Sequence, residues 1–343
     1  MSSNTNPIAC AQVSIVVPVF NAAGELEALL EALLGQSRRP DEILFIDDGS
    51  SDGSKAVIQS YLGTSPSIQY FYQRNQGAAV ARNQGWRRSN GDIVVFLDDD
   101  CLPKPNWLES MLAPFADPEV GGVGGVYYTL RPESRMANLV GLELDYKYSK
   151  LQGDVDCFPT ASLALRRDLL VRLGGFNEKY GNPCADDWDL TYKVSGCSRL
   201  LIQKTAVVGH YHPESVRRYL RTQFTRAKNR IRLYQNHPNK KKGDSFTSRW
   251  IPFQLACSLA CLLVWITAPI LGWKAGLTFS LLTLGGSIDW GLMRFIAKRF
   301  PSLVPFSVGV QVFRNFAWLG GIVAAYSRIF WAKIGLFRKP FMS

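Results

Sequence analysis

Three consecutive carboxylates, Asp98, Asp99 and Asp100, follow directly on the apolar run Ile93-Val-Val-Phe-Leu97. Like charges packed this closely repel one another unless a cation sits among them, and hard divalent cations such as Mg2+ take carboxylate and phosphate oxygens. An acidic triplet also serves as an ordinary solvated turn. The run before it favours the first reading: five apolar residues opened by Gly91-Asp92 read as a strand buried on both faces of a sheet. Ligands of open α/β sheets sit beyond the carboxyl ends of such strands. The triplet therefore points to a metal-bound diphosphate. A second acidic strand end is Asp47-Asp48-Gly49-Ser50. Asp48 can accept hydrogen bonds from a base imide or a ribose hydroxyl, and Gly49 permits close backbone approach; the same four residues would also make a turn and helix cap.

The scaffold that must hold these acids is legible in the hydrophobic spacing. Strands are expected over residues 13–20, 41–46 and 68–72, and helices over 25–34, 54–62 and 77–88. Their alternation predicts right-handed βαβ units on a mainly parallel sheet, an α/β Rossmann-like arrangement. No GxGxxG follows the first strand and no GxxxxGK[ST] occurs, which disfavours a dinucleotide enzyme or a P-loop NTPase. Further on, residues 103–115 read as a helix and 120–128 as a glycine-rich strand, where small residues mark close approach of a ligand.

Composition separates the chain into two parts. Of its 343 residues, those to about 235 resemble a water-soluble α/β domain, whereas 251–330 are mostly apolar with few acids. The net charge of +11 lies mainly in the C-terminal half. Excess Lys and Arg beside apolar spans favours an anionic membrane surface, and no nucleic-acid module is present, so nucleic acid is not an expected partner. The seven cysteines form no CxxC or zinc-type cluster and suit a reducing cytosol. Residues 1–12 are polar, are expected to be disordered and lack the pattern of a signal peptide.

Taken in order and spacing, residues 13–21 (VSIVVPVFN), 47–50 (DDGS), 77–85 (GAAVARNQG) and 96–100 (FLDDD) resemble the family 2 inverting glycosyltransferases of the GT-A fold. The resemblance spans about residues 13–235. It implies a nucleotide-sugar donor, with Phe20 on the base and Asp48 on its imide. Asp98 and Asp100 would form the DXD pair, Asp98 towards the ribose and Asp100 on a Mg2+ or Mn2+ that bridges the diphosphate. Pro18, Asn21 and Asp99 join the donor-binding set through the same matched segments. Arg82 and Asn83 match the family's RN pair near the donor, although Arg82 is equally placed to hold the acid cluster.

The acceptor half is less explicit. Residues 159–167 and 173–176 resemble the segment that walls the sugar and acceptor site. In Asp186-Asp187-Trp188-Asp189-Leu190 the family usually carries Glu-Asp followed by x-Asp-Leu; the first acid is shortened here. An inverting transfer needs one carboxylate to deprotonate the attacking hydroxyl. By the resemblance that base is Asp187, with Asp186 and Trp188 facing the acceptor and Asp189 structural. The three acids would also complement a helix dipole. His210 matches a family position for a further contact to metal or diphosphate, ahead of His212.

Seven cations fall within residues 217–232 without an acid, interleaved with Tyr219, Leu220, Phe224 and Ile231, as in a helix on anionic lipid or one gripping a lipid-linked phosphate. Gln223-Phe-Thr-Arg226-Ala227 lacks the Trp of the QxxRW motif of processive synthases. Residues 251–272 and 275–293 are candidate spans of a hairpin with both basic flanks cytosolic. Residues 303–331 are expected to be interfacial or a third span. The expectation is thus a nucleotide-sugar domain at 13–235 and a membrane-associated helical region at 236–343. Such a protein would be an inverting, hexosyltransferase-type enzyme at the inner (plasma) membrane with a cytoplasmic catalytic domain, acting on a lipid-linked or glycan acceptor. Alternatives are a polyprenyl-phosphate glycosyltransferase and a catalytically silent nucleotide-sugar-binding scaffold.

Overall fold

The computed structural model describes residues 11–63, 67–180, 185–271 and 273–333. Most of the segment expected to be disordered at 1–12 lies outside the described residues. The elements are, in chain order, β1 (Val13–Val19), α1 (Ala23–Leu34), β2 (Glu42–Asp47), α2 (Ser54–Ser60), β3 (Ser67–Tyr72), α3 (Ala78–Arg88), β4 (Ile93–Leu97), β5 (Cys101–Pro103), α4 (Trp107–Leu112), β6 (Val120–Thr129), α5 (Arg135–Lys150), β7 (Ser162–Arg166), α6 (Arg167–Leu173), α7 (Asp186–Ser195), β8 (Arg199–His210), α8 (Val216–Asn236), α9 (Ile251–Leu271), α10 (Trp273–Gly286), α11 (Trp290–Arg299) and α12 (Val304–Lys333).

Residues to Leu130 together with Lys147–Tyr211 form one compact unit. Its eight-stranded sheet has the order β3-β2-β1-β4-β7-β6-β8-β5. Strands β1, β2 and β4 are buried along their whole length, which is why they are predominantly apolar, β4 without a break. The sheet expected to be mainly parallel is mixed. It is parallel across β3-β2-β1-β4, but β7 runs antiparallel to both β4 and β6, and β5 antiparallel to β8. The helix expected over residues 103–115 starts later, because Pro103 pairs with Val208 in β5.

The glycines of β6 have a different cause from the one expected. A Cβ on Gly124 would lie 2.3 Å from the Phe158 ring, and one on Gly125 2.4 Å from Ser162 Oγ. These positions admit the protein's own side chains rather than a ligand. Ser162 belongs to the segment 159–167, which leads into β7, a strand inside the sheet.

Arg131–Tyr146 and the residues from His212 onward form the second unit. Helix α5, absent from the expected elements, and residues 212–235, expected in the catalytic domain, thus group largely with the C-terminal helices. Their shared apolar cluster contains Met136, Leu139, Leu142, Tyr219, Leu292, Met293, Ile296, Leu303 and Val310. Residues 275–293 do not form one helix. After Gly285 and Gly286 the chain turns, and Asp289 caps α11 by accepting the Leu292 N–H at 3.0 Å. Among the described residues, Pro301–Trp331 is the one helix long and apolar enough to cross a membrane, by length and composition alone.

Gly124→Val should force Phe158 from its place and destabilise the catalytic unit by about 1–3 kcal/mol, the usual cost of overpacking. Chemical denaturation of the full chain in detergent, followed by tryptophan fluorescence, measures this; unchanged stability would show that Phe158 has room to yield.

Candidate active site

The carboxyl ends of β1, β2 and β4 carry the expected donor residues. Pro18 is buried within β1, beyond the point where β4 stops pairing at Val16 and Phe96, and stays inside the strand. Phe20, just past the strand, is 50% exposed and presents a flat apolar face. Its backbone N–H donates to Asp99 Oδ2 at 2.9 Å, tying the end of β1 to the acidic triplet. Asn21 adopts φ +53°, and its side-chain oxygen accepts the Ser51 N–H at 2.8 Å. The β1 and β2 ends are thereby locked together.

Asp48 is buried and already well supplied with donors. Oδ1 accepts from Gln73 Nε2 at 2.6 Å and the Gln76 N–H at 2.8 Å, and Oδ2 accepts the Gly77 N–H at 2.8 Å. A carboxylate has about four lone-pair sites, so the loop that opens α3 takes most of this one. Its first task is to shape the floor of the site, with capacity left for one further donor.

Asp98, Asp99 and Asp100 stand together at the end of β4. Burial, then the charges of Asp100 and Asp98, push the Asp99 carboxyl up to about 8 against the opposing pull of the Phe20 N–H. Asp100 is joined by residues from the other side of the sheet. Antiparallel pairing of β5 with β8 sets Cys101 opposite His210, and the Tyr211 N–H donates to the Asp100 carbonyl at 3.1 Å. His210 Nε2 lies 3.6 Å from Asp100 Oδ1. Ligand atoms of Asp100, Cys101 and His210 all fall within 4.8 Å of one another. A carboxylate and an imidazole suit Mn2+ or Mg2+. Burial, then the Asp100 and Asp98 charges, hold the Cys101 thiol well above its usual range, so it stays a neutral wall. Sequence reading missed Cys101, because only the β5–β8 register reveals it. His212 belongs to the second unit and is not part of this cluster.

Arg82 on α3 connects the triplet to α7. Its Nη2 donates to Asp98 Oδ1 at 2.7 Å, and its Nη1 lies 3.4 Å from Asp186 Oδ2. Burial alone would lower the guanidinium pKa, but Asp98 and Asp186 outweigh it and raise it. Of the two roles open for Arg82, holding the acids is the one its contacts support. Asn83, fully buried, does not reach the donor side. It pins the Phe176 backbone through both amide atoms at 2.9 Å and reaches Glu178 Oε1 at 2.7 Å.

Asp186, Asp187 and Asp189 all lie in the first turn of α7. Asp189 is spoken for: Lys193 Nζ donates to it at 2.5 Å and the Tyr180 hydroxyl at 3.1 Å. Asp187 accepts the Trp188 N–H at 2.9 Å. Trp188 is half-buried beside it. The site thus combines an acidic strand end, a candidate cation position and a second group of carboxylates at the start of α7.

Comparison with known proteins agrees with this geometry. Residues 14–171 match the model of glycosyl transferase family 2. A pre-mycofactocin glycosyltransferase of Mycobacterium tuberculosis is 28% identical over 283 residues, covering 79% of this chain but 56% of that protein. Glycosyltransferase AglE of Haloferax volcanii is 26% identical over 65% of this chain and 74% of its own. The chain thus spans little more than half the length of the first of these relatives. Among solved structures, a mannosyltransferase from Pyrobaculum calidifontis in complex with GDP-Man and Mn2+ superposes with a TM-score of 0.60 at 21% identity, covering 92% of this chain and 87% of that one. GalNAc-T7 with UDP, GalNAc and Mn2+ gives 0.51 at 16% identity, over 66% of this chain and 48% of the other. The mixed sheet with its acidic strand end is the GT-A fold, and residues 14–171 of the chain match glycosyl transferase family 2.

Proposed function

We propose that this protein is a divalent-metal-dependent, inverting glycosyltransferase that moves one sugar from a nucleotide diphosphate sugar to a membrane-associated, lipid-linked or glycan acceptor. The observation that carries the reading is the convergence at strand ends of one sheet of Asp98, Asp100 and His210, linked through Arg82 to Asp186 of α7. The nucleotides and Mn2+ in the two similar structures support the donor class and the cofactor.

Asp100 and His210 would hold the cation, which when bound neutralises charge on the departing diphosphate. The remaining work falls to the protein. Phe20 offers a face for the base, and Asp48 holds the loop beside it. The acceptor hydroxyl attacks the anomeric carbon as its proton passes to the Asp187 carboxylate; the bond to the diphosphate oxygen breaks, and nucleoside diphosphate leaves. Asp187 is taken as the base from its position in the family's acidic motif, and Asp189 is held by Lys193 and Tyr180.

The membrane part of the proposal rests on the apolar helices α9, α10 and α12. Their basic flanks, Lys240, Lys241, Lys242 and Arg249 before α9 and Arg294, Lys298 and Arg299 in α11, suit the cytosolic face of a plasma membrane. The cationic α8 favours an acceptor bearing phosphate, so a polyprenyl phosphate is the second reading.

Thermal-shift measurements with a panel of nucleotide sugars test the donor half, since a ligand of the folded state raises its melting temperature. One donor should produce an Mn2+-dependent shift that Asp100→Asn abolishes; a shift unaffected by that substitution would remove Asp100 from the cation site. Asp187→Asn should keep the donor-induced shift while lowering kcat by about 10²–10⁴-fold. Wild-type turnover in that variant would move the base to Asp186. No transfer or hydrolysis of any donor by folded wild-type protein would leave only a binding role.

A further inference from the structure

Within the helical unit, α8 and α12 run side by side. Tyr219 shares an apolar cluster with Val310. Gln223 Oε1 accepts the Trp318 indole N–H at 3.0 Å. A Cβ on Gly321 would lie 2.3 Å from the Phe224 carbonyl oxygen and 3.0 Å from Ala227 Cβ. Residue numbers rise together along both helices, so they point the same way, and the contact covers the middle of α12. Two helices joined this closely share one depth and one tilt in any membrane.

That constraint bears on α12, the helix apolar enough to cross. Alongside its middle, α8 exposes Arg217, Arg218, Arg221, Arg226 and Arg232, and no acid occurs between Val216 and Asn236. At 100° per residue, Arg217, Arg221, Lys228 and Arg232 fall within an arc of about 60°. If α12 stood upright in a bilayer, α8 would carry Arg221 and Arg226 into the hydrocarbon, where guanidinium groups are strongly disfavoured. Helix α12 also turns the polar residues of its first half inward, while Ser327 and Arg328 near its end are exposed. Ser307, Gln311, Arg314 and Asn315 are buried, with Arg314 Nη1 on Glu143 Oε1 at 2.9 Å. Its outward row is Leu319, Val323, Tyr326 and Phe330, spaced four, three and four residues apart, the last three exposed.

We propose that α8 and α12 lie together along the surface of an anionic bilayer and that α12 does not cross it. The row through Val323, Tyr326 and Phe330 enters the acyl region, while the arginines of α8 meet phospholipid headgroups. Charge decides the partner: a stripe of cations without acids, beside an apolar row, fits an anionic lipid surface. This inference rests on the membrane association proposed above.

Its test is the depth of three spin labels, placed singly by Phe316→Cys, Val323→Cys and Phe330→Cys in the full chain. The background is cysteine-free and shown to melt at the parent's temperature, and the protein is held in nanodiscs of phosphatidylglycerol and phosphatidylcholine. Oxygen and nickel-chelate accessibilities report depth. One common shallow depth near the acyl–headgroup boundary is the expected result. An upright helix would spread the labels over most of the ~21 Å of axial rise between 316 and 330, with 316 near mid-bilayer; that profile overturns the inference but leaves membrane association standing. Water-exposed labels at all three positions would overturn both. For the headgroup contact, wild-type protein purified from an equimolar mixture of the two lipids should retain mainly phosphatidylglycerol. Arg217→Gln/Arg221→Gln/Arg232→Gln should bring the retained ratio close to that of the mixture, and an unchanged preference would remove α8 from the lipid contact.

Discussion

The catalytic unit turns on one buried cation. Six carboxylates, Asp98, Asp99, Asp100, Asp186, Asp187 and Asp189, lie at the end of β4 and the start of α7, and Arg82 bridges the two groups. A unit charge pair 4 Å apart gains about 4 kcal/mol at an effective dielectric constant of 20, while desolvation costs several kcal/mol per ion. The two nearly cancel, so the bridge contributes little net stability. What it fixes is geometry: Asp98 cannot move independently of Asp186. Arg82 is followed on α3 by Asn83, whose amide holds the segment before α7. One turn of α3 therefore reaches both the acids after β4 and the segment before α7. The loop that opens α3 is held by Asp48, which takes the N–H groups of Gln76 and Gly77.

What could be read from sequence follows the same division. Strand β4 coincides with the apolar run at 93–97, because a strand covered on both faces is favoured by apolar residues along its whole length. The acids after it are adjacent in sequence and need no fold to be noticed. The other half of the site depends on contacts that sequence spacing does not carry. Strand β5 has three residues, too few for any periodic signal, yet its register against β8 is what brings Cys101 and His210 to Asp100. Asp48 was legible as a ligand contact, but its donors lie 25–29 residues further on. The β6 glycines were read as room for a ligand, and only the packing of Phe158 and Ser162 explains them.

The helical region shows the same limit in another form. Its apolar content was visible, but hydropathy adds residues without regard to the face they occupy. Helix α12 reaches a mean hydropathy of 1.2 with Arg314 and three neutral polar residues along its inner face. Partners for these come from elsewhere in the unit: Arg314 donates to Glu143 at 2.9 Å, Asn315 to the Ser287 carbonyl at 2.8 Å, and Gln311 accepts the Asp289 N–H at 2.9 Å. A charge at the centre of a bilayer costs about 2.5–3.5 kcal/mol on insertion scales. Each exposed arginine of α8 would add that cost to an upright α12, whereas near anionic headgroups each would gain about 1 kcal/mol. The sign of the electrostatic term thus depends on the partner helix, not on α12's own composition.

The acids of α7 make the corresponding point for chemistry. A helix N-terminus favours negative charge, and that alone would account for three aspartates in a first turn. It would not account for the specific partners: Arg82 reaching in from α3 to Asp186, and Lys193 with Tyr180 closing on Asp189. A dipole needs no such matching. Both of those carboxylates are held by cationic side chains. Asp187, between them, accepts a backbone N–H from its own helix. Three chemically identical groups in one helix turn are thus given different surroundings by the elements the fold packs against them.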